Sequence, residues 1–171
     1  MPINTNTLRG SEAVLQLAGL DTRAGKLGQE IFDKEYSIST VGRVTGVEIC
    51  VDTALETFHE IGTRLPVSLH PGNINIRGRV DRAYINGALL RLLMGNLVKD
   101  LSSTDELQPQ FNIILDLTDI KSADGKVGTK VTVGGVRFEN WSLVVPEDDF
   151  VMEKVTFQAV RITREEKTGG G

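Results

Sequence analysis

Apolar and polar residues alternate through most of this chain, but only from Val41 onward; the first quarter is poorly patterned. Alternation sends successive side chains to opposite faces of a strand, so each such run reads as a strand with one face buried. Residues 12–17 form a first short strand. Residues 18–40 show neither period and read as a long loop or arm, whose Leu20, Leu27, Ile31, Phe32 and Tyr36 mark it as a contact segment. Val47, Ile49 and Val51 then alternate with Glu48, Cys50 and Asp52, a half-buried strand. In residues 53–62, Thr53 and Glu56 match a helix capping box, while Leu55, Thr57, His59 and Ile61 continue the extended pattern, and the extended reading is preferred. LPVSLH and NINIRGRV read as an antiparallel hairpin turning at Pro71 and Gly72. Ile74, Ile76 and Val80 share one face of it, and Arg77 and Arg79 the other.

A helix is expected over about 81–95, with Asp81 as its cap and Gly95 as its stop. Ile85, Leu89, Leu92 and Leu93 make its inward stripe. Tyr84, Ala88, Leu90 and Met94 widen that stripe beyond what one sheet covers, so the surplus is expected to meet another copy of the chain. Beyond a polar loop the pattern returns to strands. Phe111, Ile113, Leu115 and Leu117 alternate, and an Asp-Gly turn at Asp124 and Gly125 leads to the next strand. Val136 and Phe138 keep one parity and Trp141, Leu143 and Val145 the other, which a single-residue bulge between them reconciles. After a turn at Pro146–Asp149 a last strand carries Val151, Val155, Phe157 and Ala159 on one face. The tally of seven or eight strands and one good helix predicts a mainly β fold, a two-sheet antiparallel sandwich or barrel with one flanking helix and long loops. One domain over residues 1–171 is expected, with the arm at 18–40 and a flexible tail at about 165–171.

Composition narrows the function by exclusion. The charged fraction of 25% and apolar fraction of 40% fit a folded domain, and no window approaches a membrane span. The N-terminus lacks a basic segment followed by an apolar one, so no export signal is expected. A net charge of −4, with Lys and Arg scattered singly, argues against tight binding of nucleic acid. Candidate chemistry is sparse. Cys50 has no partner for a disulfide or a zinc site, and His59-Glu60 lacks the second histidine of an HExxH helix. His70 has no ligand neighbour at a recognisable spacing, and Asp116, Asp119 and Asp124 lack EF-hand spacing. Glu147, Asp148 and Asp149 fit a solvated turn, and Gly134-Gly135 a bulge or tight bend. No nucleophile with a base and no paired carboxylates emerge, so neither an enzyme nor a cofactor is expected. Glu48, Asp52, Glu56 and Glu60 would share one face of an extended strand, an acidic stripe that reads as a solvent face or, in a ring of copies, as a channel lining.

The run EIGTRLPVSLHPGNINIRGRVDRAYINGALLRLLMG, with the later VRFENWSLVVPEDDFVMEKVTFQAVRI, resembles the tail tube proteins of contractile-tailed bacteriophages and related phage-like injection machines. The resemblance covers roughly the last two thirds of the chain. It implies a two-sheet β fold with one flanking helix, hexameric rings, and stacking of rings into a tube that conducts DNA or an effector inside a contractile sheath. It further implies baseplate and tail-terminator partners, passage of DNA without tight binding, no membrane partner, and a place in a virion tail or extracellular particle assembled in the bacterial cytoplasm. The alternative is a secreted hexameric ring protein of a type VI-like apparatus that carries effectors. Under the tube reading, Tyr84, Ala88, Leu90, Met94, Leu20 and Phe32 are expected at a subunit interface, and Glu48, Asp52, Glu56 and Glu60 along the channel.

Overall fold

A computed structural model describes residue 10 and residues 13–37, 40–98, 107–118 and 128–167. Among these residues seven antiparallel strands form one curled sheet, a half-barrel in the order β1-β4-β5-β6-β3-β2, with β7 also on β5. These are β1 (Ala13–Ala18), β2 (Val44–Phe58), β3 (Ser68–Ala83), β4 (Phe111–Thr118), β5 (Gly128–Val144), β6 (Met152–Ala159) and β7 (Arg161–Lys167). The curl comes from β5, whose first half pairs with β4 and β7 and whose second half pairs with β6. It bends at Gly134-Gly135, where Gly135 has a φ of 67°, a conformation that glycine alone adopts freely. The partner strand bends alongside, at Val160 between β6 and β7, and the Val160 amide donates to the Gly134 carbonyl. Two wings result, β1-β4-β5-β7 and β5-β6-β3-β2.

The core lies inside the curl. Phe111 and Phe138 meet edge to face at 5.0 Å between ring centres, and Phe32 meets Phe111 edge to face at 6.4 Å. Two short helices, α1 (Arg23–Gln29) and α2 (Ala88–Met94), close the remaining side, and α1 continues into π-helical turns over Glu30–Glu35.

The expected arm at 18–40 is therefore corrected. Thr22 caps α1 by accepting from the Gly25 amide, and Ile31 and Phe32 are buried in the core. Gly25 and Gly28 hid this helix from the sequence pattern, yet Gly28 is needed because a Cβ there would lie 2.8 Å from the Gln110 carbonyl. The expected hairpin turn at Pro71-Gly72 is likewise corrected. β3 runs through both residues with a bulge, Leu55 opposing Pro71, and the chain reverses between Phe58 and Ser68 instead. Pro71 is tolerated because β3 has only β2 beside it there, its pairing with β6 ending at Ile76.

The helix starts seven residues later than expected. Asp81–Ala83 remain in β3, paired with Met152–Lys154, and Asn86 rather than Asp81 accepts the first helical amide, that of Ala88. Gly95 does end α2, as expected. So does the bulge fall where parity required it, between Phe138 and Asn140. The tail expected to be flexible from 165 is strand through Lys167, and the Asp124-Gly125 turn lies outside the described residues.

Candidate assembly surfaces

β2 and β3 pair over their whole length, but β6 supports β3 only from Ile76 to Ala83. Beyond that point the two strands leave the body as a ribbon. A two-stranded ribbon alone is marginal in water, so its surfaces say what it is built to meet. The register puts Val47, Ile49, Val51, Leu55, Ile74, Ile76 and Val80 on one face. At the base this face is core, with Val80 and Ile76 buried; further out the same stripe emerges uncovered, with Leu55 59% and Ile74 64% exposed. The reversal at the end of the ribbon carries Ile61, fully exposed, and Leu65.

The opposite face is mainly polar, with Phe58 exposed on it at the end of β2. Glu48 faces Arg79 at 3.2 Å, and Asp52 reaches Arg77 at 2.9 Å. Lys154, Gln158 and Arg137 continue this face across β6 and β5, with Gln158 donating to Glu139 at 2.7 Å. Glu48, Asp52 and Glu56 do share a side, as the sequence pattern requires, while Glu60 lies past the end of β2. The stripe is not a uniformly acidic one: Arg77 and Arg79 interleave with it. Cys50 sits in the same row and donates its thiol hydrogen to Glu48 at 3.2 Å, and this contact with a carboxylate pushes the thiol pKa up. His70 pairs with Ser68 at 3.0 Å.

The residues expected at a subunit interface divide. Ala88 and Phe32 are buried in the chain's own core and offer no surface to a neighbour. Leu20 is half-buried, and so are Leu90 and Met94, because the π-helical segment and β5 cover α2. Tyr84 is exposed. The apolar surplus that the sequence placed on the helix lies instead on the ribbon and at the β5–β6 turn, where Val144, Val145 and Phe150 are exposed. Their alternation signal was present in the sequence; what the sequence did not reveal is where the supporting strand stops.

Beneath the turn, Arg82 and Glu153 form a fully buried ion pair directly across the β3–β6 ladder. Trp141 donates to the second Glu153 oxygen at 2.9 Å, and Arg82 reaches the Asn86 carbonyl at 3.4 Å. This network fixes the corner where β3 hands over to α2. A second pair, Arg91 with Glu35 at 3.3 Å, ties α2 to the π-helical segment. A groove of about 640 Å³ opens between β1, β4 and the start of β2, lined mainly by aliphatic side chains such as Val14, Val41 and Leu117, with Arg43 beside them. Among the described residues no group of His, Cys, Asp or Glu is placed to hold a metal, and no helix is long and apolar enough to cross a membrane.

No protein-family model matches the chain, and no curated protein matches it significantly. Solved structures do. The tube-terminating cap of the anti-feeding prophage is similar at a TM-score of 0.61 and 9% identity, over 97% of this chain and 95% of that one. A protein of the sixfold-symmetrised anti-feeding prophage baseplate gives 0.57 at 11% identity, over 97% and 98%. The SPP1 tail tube gives 0.58 at 12% identity, over 95% and 81%. At such identities the likeness shows the fold: this chain has the fold of tail tube and tube-terminator proteins.

Proposed function

We propose that the chain is a structural, non-enzymatic subunit whose copies close into hexameric rings and stack into a hollow tube within a contractile tail or injection particle. The observation that carries this reading is the pair of free edges on the second wing. β2 ends the sheet on one side, and among the described residues no strand pairs with the outer side of β5 beyond Val136. Four strands lie between those edges in strict antiparallel alternation. β2 of one copy therefore fits against β5 of the next without a break in the alternation, a head-to-tail contact that closes into a ring. Closure also removes a long, partly apolar edge that would otherwise invite aggregation.

In such a ring the face bearing Glu48, Asp52 and Glu56 turns toward the lumen, because the opposite face packs on the core. Arg77 and Arg79 keep that wall from being simply acidic, and a wall of balanced, mutually paired charges holds a passing polyanion weakly. The copy number of six, an enclosing sheath, baseplate and terminator partners, and DNA or an effector as cargo are carried over from the sequence resemblance to tail tube proteins. So are assembly in the bacterial cytoplasm and residence in a virion tail or extracellular particle.

The likeness to a tube-terminating cap favours a second reading, a terminal ring rather than a repeating one. Negative-stain electron microscopy with sedimentation velocity separates them. Rods support the tube, single rings support the terminator, and a strict monomer at high concentration overturns both. Single rings that co-purify with a bound effector would instead support the type VI-like alternative.

A further inference from the structure

We propose that the β5–β6 turn of one copy seats in the groove between β1, β4 and β2 of the next copy in the same ring, a contact that rests on the ring reading above. The groove is the seam of the half-barrel. β1 and β2 are the two edges of the curled sheet, and the apolar interior is left open between them. Leu115 and Leu117, on the core-facing parity of β4, are only half-buried there, and Val14 is 42% exposed.

Groove and turn lie at the same end of the second wing but on opposite flanks. Val44 opposes Arg82, Ala83 opposes Met152, and Met152 opposes Val144, so the lip of the groove and the base of the turn stand nearly in one row. Within one copy three strand spacings, roughly 14 Å, keep them apart. A head-to-tail ring sets the β2 flank of one copy on the β5 flank of the next, and antiparallel pairing puts the start of β2 with the end of β5. The contact is then made once at each junction and is used up when the ring closes.

The chemistry of the two surfaces is complementary. Aliphatic side chains line the groove and Arg43 stands beside them; the turn presents Val145 and Phe150, 67% and 78% exposed, around Glu147, Asp148 and Asp149. Arg43, Glu147 and Asp148 have no ion-pair partner among the described residues. Seating the turn covers apolar surface on both sides and pairs opposite charges in the same step. The reversal between β2 and β3 is the other uncovered apolar end, but Glu60 and Arg64 beside Ile61 and Leu65 leave it no net charge to offer an arginine.

Both partners are held in place. Arg43 has a φ of 59°, a left-handed conformation that side chains other than glycine seldom adopt, and its carbonyl accepts from the Ala83 amide at 3.0 Å. The guanidinium is therefore presented from a fixed backbone at the cost of local strain. On the turn, the Asp149 carboxylate accepts from the Phe150 amide at 2.7 Å.

The test uses the full chain, read by sedimentation velocity and electron microscopy, with circular dichroism to show that the sheet is intact. Arg43→Glu, and separately Glu147→Arg with Asp148→Arg, are each expected to raise the concentration needed for rings by about tenfold or more, and the two sets combined to restore it. Arg43→Gly gives a second readout. It relieves the left-handed backbone, so the melting temperature below the ring-forming concentration holds or rises while ring formation weakens. A purely structural arginine would move stability alone. Cys50→Ser with Val14→Cys and Val145→Cys, oxidised and run under denaturing conditions, is expected to give a covalent ladder that ends at the copy number of one ring, while either new cysteine alone gives none. A ladder running past that number would place the groove contact between rings and overturn the proposal. So would wild-type ring formation by Arg43→Glu. Wild-type rings with no ladder overturn the contact while leaving ring closure standing, and a wild-type monomer overturns the ring reading and the contact with it.

Discussion

The Arg82–Glu153 pair offers the sharpest measurement on the folded subunit. Arg82 is 0% and Glu153 1% exposed, they oppose each other across the ladder, and Glu153 also accepts from Trp141. Glu153→Leu removes the carboxylate and leaves a buried guanidinium with only the two long contacts to Asn86, both at 3.4 Å. Removing one member of a buried pair costs about 3–5 kcal/mol, because the survivor keeps its desolvation penalty without its partner. The half-exposed Trp141 can turn to water, so its lost bond adds little. A loss of ~4 kcal/mol is a large fraction of the ~5–15 kcal/mol that holds a domain together. With a urea dependence of ~2 kcal/mol per molar, the unfolding midpoint moves down by ~2 M. Circular dichroism of the full chain gives the reading. The fluorescence of Trp141, the only tryptophan, gives an independent probe. Adding Arg82→Met to Glu153→Leu should recover most of the loss, since an apolar pair replaces an orphaned charge. A single substitution costing under ~1 kcal/mol, or a double one no better than the worse single, would refute the reasoning.

Two further outcomes are expected. Gly78→Ala would place a Cβ 2.3 Å from the Glu48 carbonyl and 2.5 Å from the Phe157 ring, whereas Gly42→Ala meets open space. The first should cost about 1–3 kcal/mol and lower the melting temperature by about 3–10 °C, the second almost nothing; equal melting curves would refute the close approach. Cys50 should alkylate more slowly at pH 8 than a free cysteine, because its hydrogen bond to Glu48 raises the thiol pKa and so shrinks the reactive thiolate fraction. Glu48→Gln should speed the reaction, and unchanged iodoacetamide kinetics would show that the carboxylate does not govern the thiol.

What the sequence disclosed, and what it concealed, follows from where the competing signals lay. Strands with one wet face were legible, down to the bulge at Phe138–Asn140, because side-chain parity is a local property. The continuation of β3 to Ala83 was not, because its core-facing position at 82 is an arginine, neutralised by a glutamate 71 residues away. A buried ion pair reads in sequence as two solvent residues. Helix α1 was masked by Gly25 and Gly28, which lower helical propensity but leave room for Leu20 and Gln110 respectively. The apolar surplus was recognised but misplaced. Ala88 and Leu89 are covered by elements distant in sequence, while the ribbon's Leu55 and Ile74 are uncovered because β6 stops short of them. Which apolar residues are spare depends on strand lengths in space, and periodicity does not encode those.

The ribbon's charges then acquire a purpose that their energy alone does not give them. Exposed pairs such as Glu48–Arg79 and Asp52–Arg77 contribute under about 1 kcal/mol each. Yet the apolar stripe cannot fix the register of β2 on β3, because a slip of two residues keeps every side chain on its own face. The charges decide. In the native register Glu48 lies across from Arg79 and Asp52 is diagonal to Arg77; one two-residue slip seats Asp52 on Arg77 but brings Glu48 opposite Asp81, a repulsive pair, and the other seats Glu48 on Arg77 but leaves Asp52 with no cation across from it or diagonal to it. The native register is thus the one in which both acids keep an arginine without a repulsive pair, and it is set at the base, so that Leu55, Ile74 and Ile76 stay in line where β6 no longer guides β3. A row of weak pairs on the polar face thereby sets the height at which Ile61 and Leu65 are presented. A two-residue slip would displace the tip by roughly 7 Å, so register rather than stability is what these residues secure.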